Sequence, residues 1–337
     1  MTTTKTLKMA AAVILMVSCA KTEKTGTQSI LSQGSASVSV RFDDRITKSS
    51  TTGYVTSLKE EEAINKIDIL VFDKETKNLN SIKSIDSLED SCKFTLPVGE
   101  KIFYAIINGP ELNEVRNIDQ LNRLEYKLEN RSISKDGLTL IGSTECNISK
   151  ETDANPVINV RWMESRVVLQ KVTCNLPSQH KNMVINSVFL GNANTVQTFG
   201  GVASAMVNRN GYEDGDDSKP IGTGDYIGEC PEYMFRSMKT SINTGDFSDT
   251  KIHMYCQPNH TQEHTCLYLL TTISEKRYYY RVPLNQGLTA NSTCSVELKI
   301  TNLGSTTPPV GNYESDTVTA LISIEGWTAG HSYEAEF

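Results

Sequence analysis

Alternation of apolar and polar residues dominates this chain, and helical spacing is rare. Ala36, Val38, Val40 and Phe42 share one face while Ser37, Ser39 and Arg41 share the other, the period of a half-buried strand. Asp43-Asp44-Arg45 ends that run, and the Thr/Ser-rich stretch 46–54 reads as a loop. Further strands are predicted over Ile64–Phe72, where Ile67, Ile69 and Val71 alternate, and over Cys92–Leu96. Others follow at Ile102–Ile107, behind a Pro97-Val98-Gly99-Glu100 turn, at Leu138–Ile141 and at Val157–Trp162. Only Ile118, Leu121, Leu124 and Leu128 fall at helical spacing, which predicts one short amphipathic helix over Asn117–Leu128.

A second series of strands opens at Arg166–Val172. It continues through Met183–Leu190, Lys251–Tyr255, Thr265–Ile273, Tyr278–Val282 and Thr293–Thr301 to Val318–Ile324. The Gly-, Asn- and Asp-rich stretch 200–219 is expected to be exposed loop. Many short strands separated by turn signals predict an all-β chain of β-sandwiches, with a short helix in the first. The boundary falls near Met163, giving domains 36–163 and 164–337 with a terminal strand at 317–325.

The extreme N-terminus has a different pattern. Lys5 and Lys8 precede an apolar run, Met9–Val17, that is too short to span a bilayer and reads as a removable signal over 1–18. Ser18-Cys19 follows Met16-Val17 and resembles a bacterial lipobox, with Met16 where leucine is usual. That resemblance implies cleavage between Ser18 and Cys19 and acylation of Cys19; the plain alternative is a secretory signal with a chance cysteine. Residues 19–35 are Thr, Ser, Gln, Gly and Lys with little to bury, a flexible tether.

The 337 residues carry a net charge of −7, and loss of the two signal lysines takes the mature chain to −9. Such an acidic surface argues against nucleic acid as a partner. Seven cysteines remain besides Cys19 (Cys92, Cys146, Cys174, Cys230, Cys256, Cys266 and Cys294), dispersed and odd in number, so a dense disulfide framework is not expected.

Candidate chemistry is sparse. No nucleophile elbow or phosphate-binding loop is present. Cys256, His260, His264 and Cys266 fit no standard zinc spacing, and the simpler expectation is a loop closed by a Cys256–Cys266 disulfide, with no metal and no cofactor. Glu213-Asp214-Gly215-Asp216-Asp217 lacks the ligand spacing of a calcium loop. Tyr278-Tyr279-Tyr280 suggests a carbohydrate platform, but neighbouring strand residues face opposite ways, so sheet packing is the simpler account.

An ordered series of segments resembles the fimbrillins of the Bacteroidales, the pilins typified by the fimbrial subunits of Porphyromonas. The series runs from the lipobox through Ser35–Phe42 with Arg45, Ile67–Phe72, Leu96–Asn108 and Glu164–Leu169. It ends with Tyr278–Pro283, Leu288–Thr301, Val318–Ile324 and Trp327. The resemblance implies two transthyretin-like β-sandwich domains and export as an outer-membrane lipoprotein. It also implies cleavage by a trypsin-like, arginine-specific protease that removes the first strand. The vacated groove then accepts a donor strand, usually the C-terminal strand of another fimbrial subunit. Burial of Ala36, Val38, Val40 and Phe42 would make removal cost on the order of 5 to 10 kcal/mol, as much as a whole domain's stability. Cleavage after Arg45 removes the complete strand, whereas Arg41, the alternative, would leave Phe42 behind. Val318, Ala320, Ile322 and Ile324 supply a matching donor face, unless they form simply the last strand of their own domain. The function so implied is a non-enzymatic structural pilin serving adhesion to a host or bacterial surface ligand. The alternatives are a tip, accessory or anchor lipoprotein of the same fimbriae, or a surface glycan-binding lipoprotein.

Overall fold

The computed structural model describes residues 32–42, 58–88, 90–128, 133–180, 182–207, 234–259, 264–284, 288–306 and 319–326. The fold is all-β. Strands up to Trp162 are β1 (Gln33–Phe42), β2 (Ile67–Asp73), β3 (Leu79–Ile85), β4 (Cys92–Pro97), β5 (Gly99–Ile107), β6 (Glu125–Lys127), β7 (Leu140–Ile148) and β8 (Val157–Trp162). Beyond it lie β9 (Ser165–Cys174), β10 (Asn182–Gly191), β11 (Ala193–Thr198), β12 (Ala203–Val207), β13 (Phe235–Asn243) and β14 (Phe247–Cys256). The last four are β15 (Cys266–Ile273), β16 (Lys276–Pro283), β17 (Ser292–Ile300) and β18 (Thr319–Gly326).

The first strands form a seven-stranded sheet in the order β3-β2-β5-β7-β8-β1-β4. This sheet folds over on itself, so that Phe94 of β4 meets Phe103 of β5 edge-on with ring centroids 6.4 Å apart. The later strands form two four-stranded sheets, β14-β9-β17-β18 and β13-β10-β15-β16, whose inner faces share one apolar core. A small sheet, β12-β11-β6, joins the two halves through the pairing of Gln197 with Tyr126.

Three expectations change. The helix α1 is only Ile118–Arg123, capped by the Asn117 side chain accepting from the Gln120 amide. The chain then turns extended because Tyr126 is buried and donates its hydroxyl to Glu164 Oε1 at 2.6 Å, and because β6 pairs with β11. Tertiary pairing thus overrides the spacing of Leu124 and Leu128. A second short helix, α2 (Ile133–Asp136), and a 3-10 turn at Lys59–Glu62 were not foreseen. Ala203–Val207, expected as loop, forms β12 against β11. Residues 33–35, expected as tether, open β1 and pair with Pro97, Leu96 and Thr95. Gly34 permits this, since a Cβ there would lie 1.9 Å from the Ser149 carbonyl oxygen.

Candidate functional site

β1 occupies an interior position in its sheet and is held on both sides. Gln33–Val38 runs antiparallel to β4, and Ser39–Phe42 runs parallel to β8. The two ladders overlap, because Ser37 and Ser39 also donate their amides to the carbonyls of Ala154 and Pro156 at 2.8 and 3.2 Å. Alternation then sends Ala36, Val38 and Val40 into the core, at most 2% exposed, while Arg41 stays in solvent. Ser35 adds a hydroxyl bond to the Asp153 carboxylate. Among the described residues, β1 is the only strand that pairs with β4. Taking it away would open a groove walled by β8 on one side and leave β4 with no ladder partner.

Past the undescribed stretch 43–57, the chain is pinned again. The carboxylate of Glu61, fully buried, pairs with the guanidinium of Arg166 at 2.7 Å. The Tyr255 hydroxyl donates to the same carboxylate, and His253 Nδ1 stands 3.4 Å from it. Trp162 Nε1 donates to the Glu61 carbonyl at 3.3 Å, and Arg166 Nε donates to Thr293 Oγ1 at 3.0 Å. Burial pushes the Tyr255 phenol well above its ordinary range, and the neighbouring Glu61 charge adds to the rise. The turn carrying Glu61 is therefore fastened to β8, β9 and β14. The sequence gives no signal for this, since Glu61 stands between Glu60 and Glu62 in what reads as a solvated charge run.

β18 is the edge strand next to β17, pairing Ala320 with Leu298, Ile322 with Val296 and Ile324 with Cys294. Ala320 and Ile322 are half-buried. Ser18, Cys19, Arg45 and Val318 lie outside the described residues, as do the side chains of Phe42 and Ile324.

The expected Cys256–Cys266 bridge is absent: both are free, buried thiols. The strands carry them into different sheets, Cys256 opposite Ser165 of β9 and Cys266 opposite Gly191 of β10. Burial raises both thiols, and Cys266 Sγ accepts from Arg281 Nε at 3.2 Å. Tyr278, Tyr279 and Tyr280 are each at most 7% exposed. Tyr279 packs with Phe189 and Tyr268 in a satellite cluster, while its two neighbours join the main core. Three buried rings on opposite faces make no platform for a sugar.

No family model matches the chain. No curated protein matches it. Solved structures do. A proposed cell adhesion protein of Parabacteroides distasonis superposes with a TM-score of 0.65 at 15% identity, over 89% of this chain and 99% of that one. A second, from Bacteroides eggerthii, gives 0.62 at 15% identity, covering 88% and 96%. A fimbrillin of Porphyromonas gingivalis gives 0.60 at 12% identity, covering 90% and 100%. Across nearly its whole length, the chain has the fold of these fimbrillin and adhesion proteins.

Proposed function

We propose that this chain is a structural subunit of a surface fimbrium, exported as a lipoprotein on Cys19 and built of sandwich domains 36–163 and 164–337. Proteolysis after Arg45 releases β1, and the groove between β4 and β8 takes a strand of another subunit, with 317–325 the candidate donor. The observation that carries this reading is the place of β1. An N-terminal strand buried between two others in a sheet, followed within three residues by Arg45, is what a removable plug requires. Burial of Val38 and Val40 alone contributes about 3 to 6 kcal/mol, a large part of a domain's stability, so the opened groove demands a replacement. The fold shared with a fimbrillin supports the same role.

The test is limited trypsin treatment of the precursor, followed by mass spectrometry and size analysis. A single cut after Arg45 and a ladder of oligomers are expected. The Arg45→Ala chain should remain a full-length, lipidated precursor that does not polymerise. Polymerisation of that variant would refute the assignment.

One observation favours a second reading. β18 already completes its own sheet beside β17, as suits a tip or accessory subunit that accepts a strand and donates none. A clean cut that yields only monomers would select it.

A further inference from the structure

A cleft on the outer face of the seven-stranded sheet gathers polar groups that have no internal use. The register puts them on one face. Tyr104 of β5 lies opposite Ser143 of β7, and Ile141 of β7 lies opposite Arg161 of β8. Asn159 is two residues before Arg161 on the same strand and so faces the same way. Phe199, at the end of β11, reaches over from the other half of the molecule, its amide donating to the Leu124 carbonyl at 3.1 Å. These residues line a cavity of about 340 Å³.

Gly142 shapes the floor. A Cβ there would stand 2.1 Å from the Asn159 carbonyl oxygen, so only glycine lets β7 and β8 meet at this corner. The ring of Tyr104 is fixed edge-on against Phe72, with centroids 5.7 Å apart. Phe199 is 8% exposed, a wall rather than a loose surface ring. Against these fixed parts stand four free polar groups. Among the described residues, the side chains of Arg161, Asn159, Ser143 and Tyr104 make no hydrogen bond and no ion pair. The nearby carboxylate of Glu145 is taken by Lys74.

The chemistry selects a ligand class. A guanidinium with no carboxylate of its own offers a planar fork that matches a carboxylate. An amide, two hydroxyls and two aromatic walls suit a hydroxylated ring with apolar faces. A single cation is a poor match for a phosphate. The volume is at the small end for ligand sites and holds one ring rather than a chain of them. We infer that this cleft binds a carboxylate-bearing sugar residue of the hexuronic acid type, with Arg161 on the carboxylate and Asn159, Ser143 and Tyr104 on the hydroxyls. The site adjoins the strand groove, since Asn159 stands opposite Arg41 of β1, so the test keeps β1 in place.

Ligand-observed saturation-transfer NMR on the full-length precursor tests it, with D-glucuronate as probe and D-glucose and acetate as controls. Glucuronate should bind in the millimolar range or tighter, and each control at least tenfold more weakly. Arg161→Gln should lower glucuronate affinity about tenfold or more, with an unchanged melting temperature because the side chain is exposed. Gly142→Ala, whose Cβ would meet the Asn159 carbonyl on the core side, should also weaken binding by parting β7 from β8 beneath the cleft. Three results would each overturn the inference: no glucuronate signal, equal binding of glucose or acetate, or undiminished binding by the Arg161→Gln chain.

Discussion

Glu61 and Asp73 are both carboxylates held by a buried cation, and they respond to different perturbations. Glu61 is wholly enclosed with Arg166, Tyr255 and His253, so cutting it back to alanine strands a buried guanidinium. Glu61→Ala should lose about 3 to 5 kcal/mol in a urea unfolding series, whereas the exposed neighbour Glu60 tolerates the same change. Asp73 is partly open and accepts from Lys101 Nζ at 2.8 Å and from the Thr76 amide at 2.9 Å. The Lys101 ammonium first, and then the Thr76 amide, hold its carboxyl down to about 2 from an ordinary 3.8. A carboxyl depressed in the folded state stabilises the fold above its unfolded value, and that contribution is lost as pH falls through the folded one. The urea midpoint should therefore drop between about pH 4 and pH 2, and Asp73→Asn should flatten that segment while lowering the neutral-pH midpoint. At this scale the sequence is least legible. Arg166 lies inside a strand pattern, and only the fold brings its partner across more than a hundred positions.

β18 and β1 have similar faces and very different settings. β1 is flanked on both sides and sends three side chains fully into the core; β18 has one neighbour and half-buried side chains. Truncation after Asp316 should therefore leave a folded monomer, destabilised by about 1 to 3 kcal/mol, or several degrees in melting temperature. After trypsin, the truncated chain should give no ladder, and a synthetic 317–337 peptide should restore occupancy of the groove. Ladders from the truncated chain would place the donor strand elsewhere. Strands with a strong apolar pattern were readable: β8 appears as predicted, alternating strands such as β1, β4 and β17 and the doubly buried β9, β10 and β15 within a few residues, and β16 and β18 likewise. β3 and β13 were missed because these edge strands bury little and are written largely in Ser, Lys, Thr and Asn. The helix was over-extended because Leu124 and Leu128 keep helical spacing while Tyr126, between them, is claimed by β11 and Glu164.

For the whole molecule, the order of strands along the chain tells little about their order in space. β1 lies beside β4 and β8, not beside β2, and β9 pairs in parallel with β17 more than a hundred residues away. Neither neighbour relation is written in local pattern, which is why the strand β1 was legible while the strands that flank it were not. Those flanking strands also bear on timing. Cutting one peptide bond beyond Phe42 removes none of the ladder bonds that hold β1 to β4 and to the 154–160 segment. If the chain is cut there as proposed, it should therefore stay shut, and the barrier to releasing β1 decides how long. In the proposed assembly that delay would work as a clock, carrying a subunit from the point of cutting to the growing end as a closed particle. It would become adhesive to its own kind only where a competing strand is at hand to invade from one end of the groove.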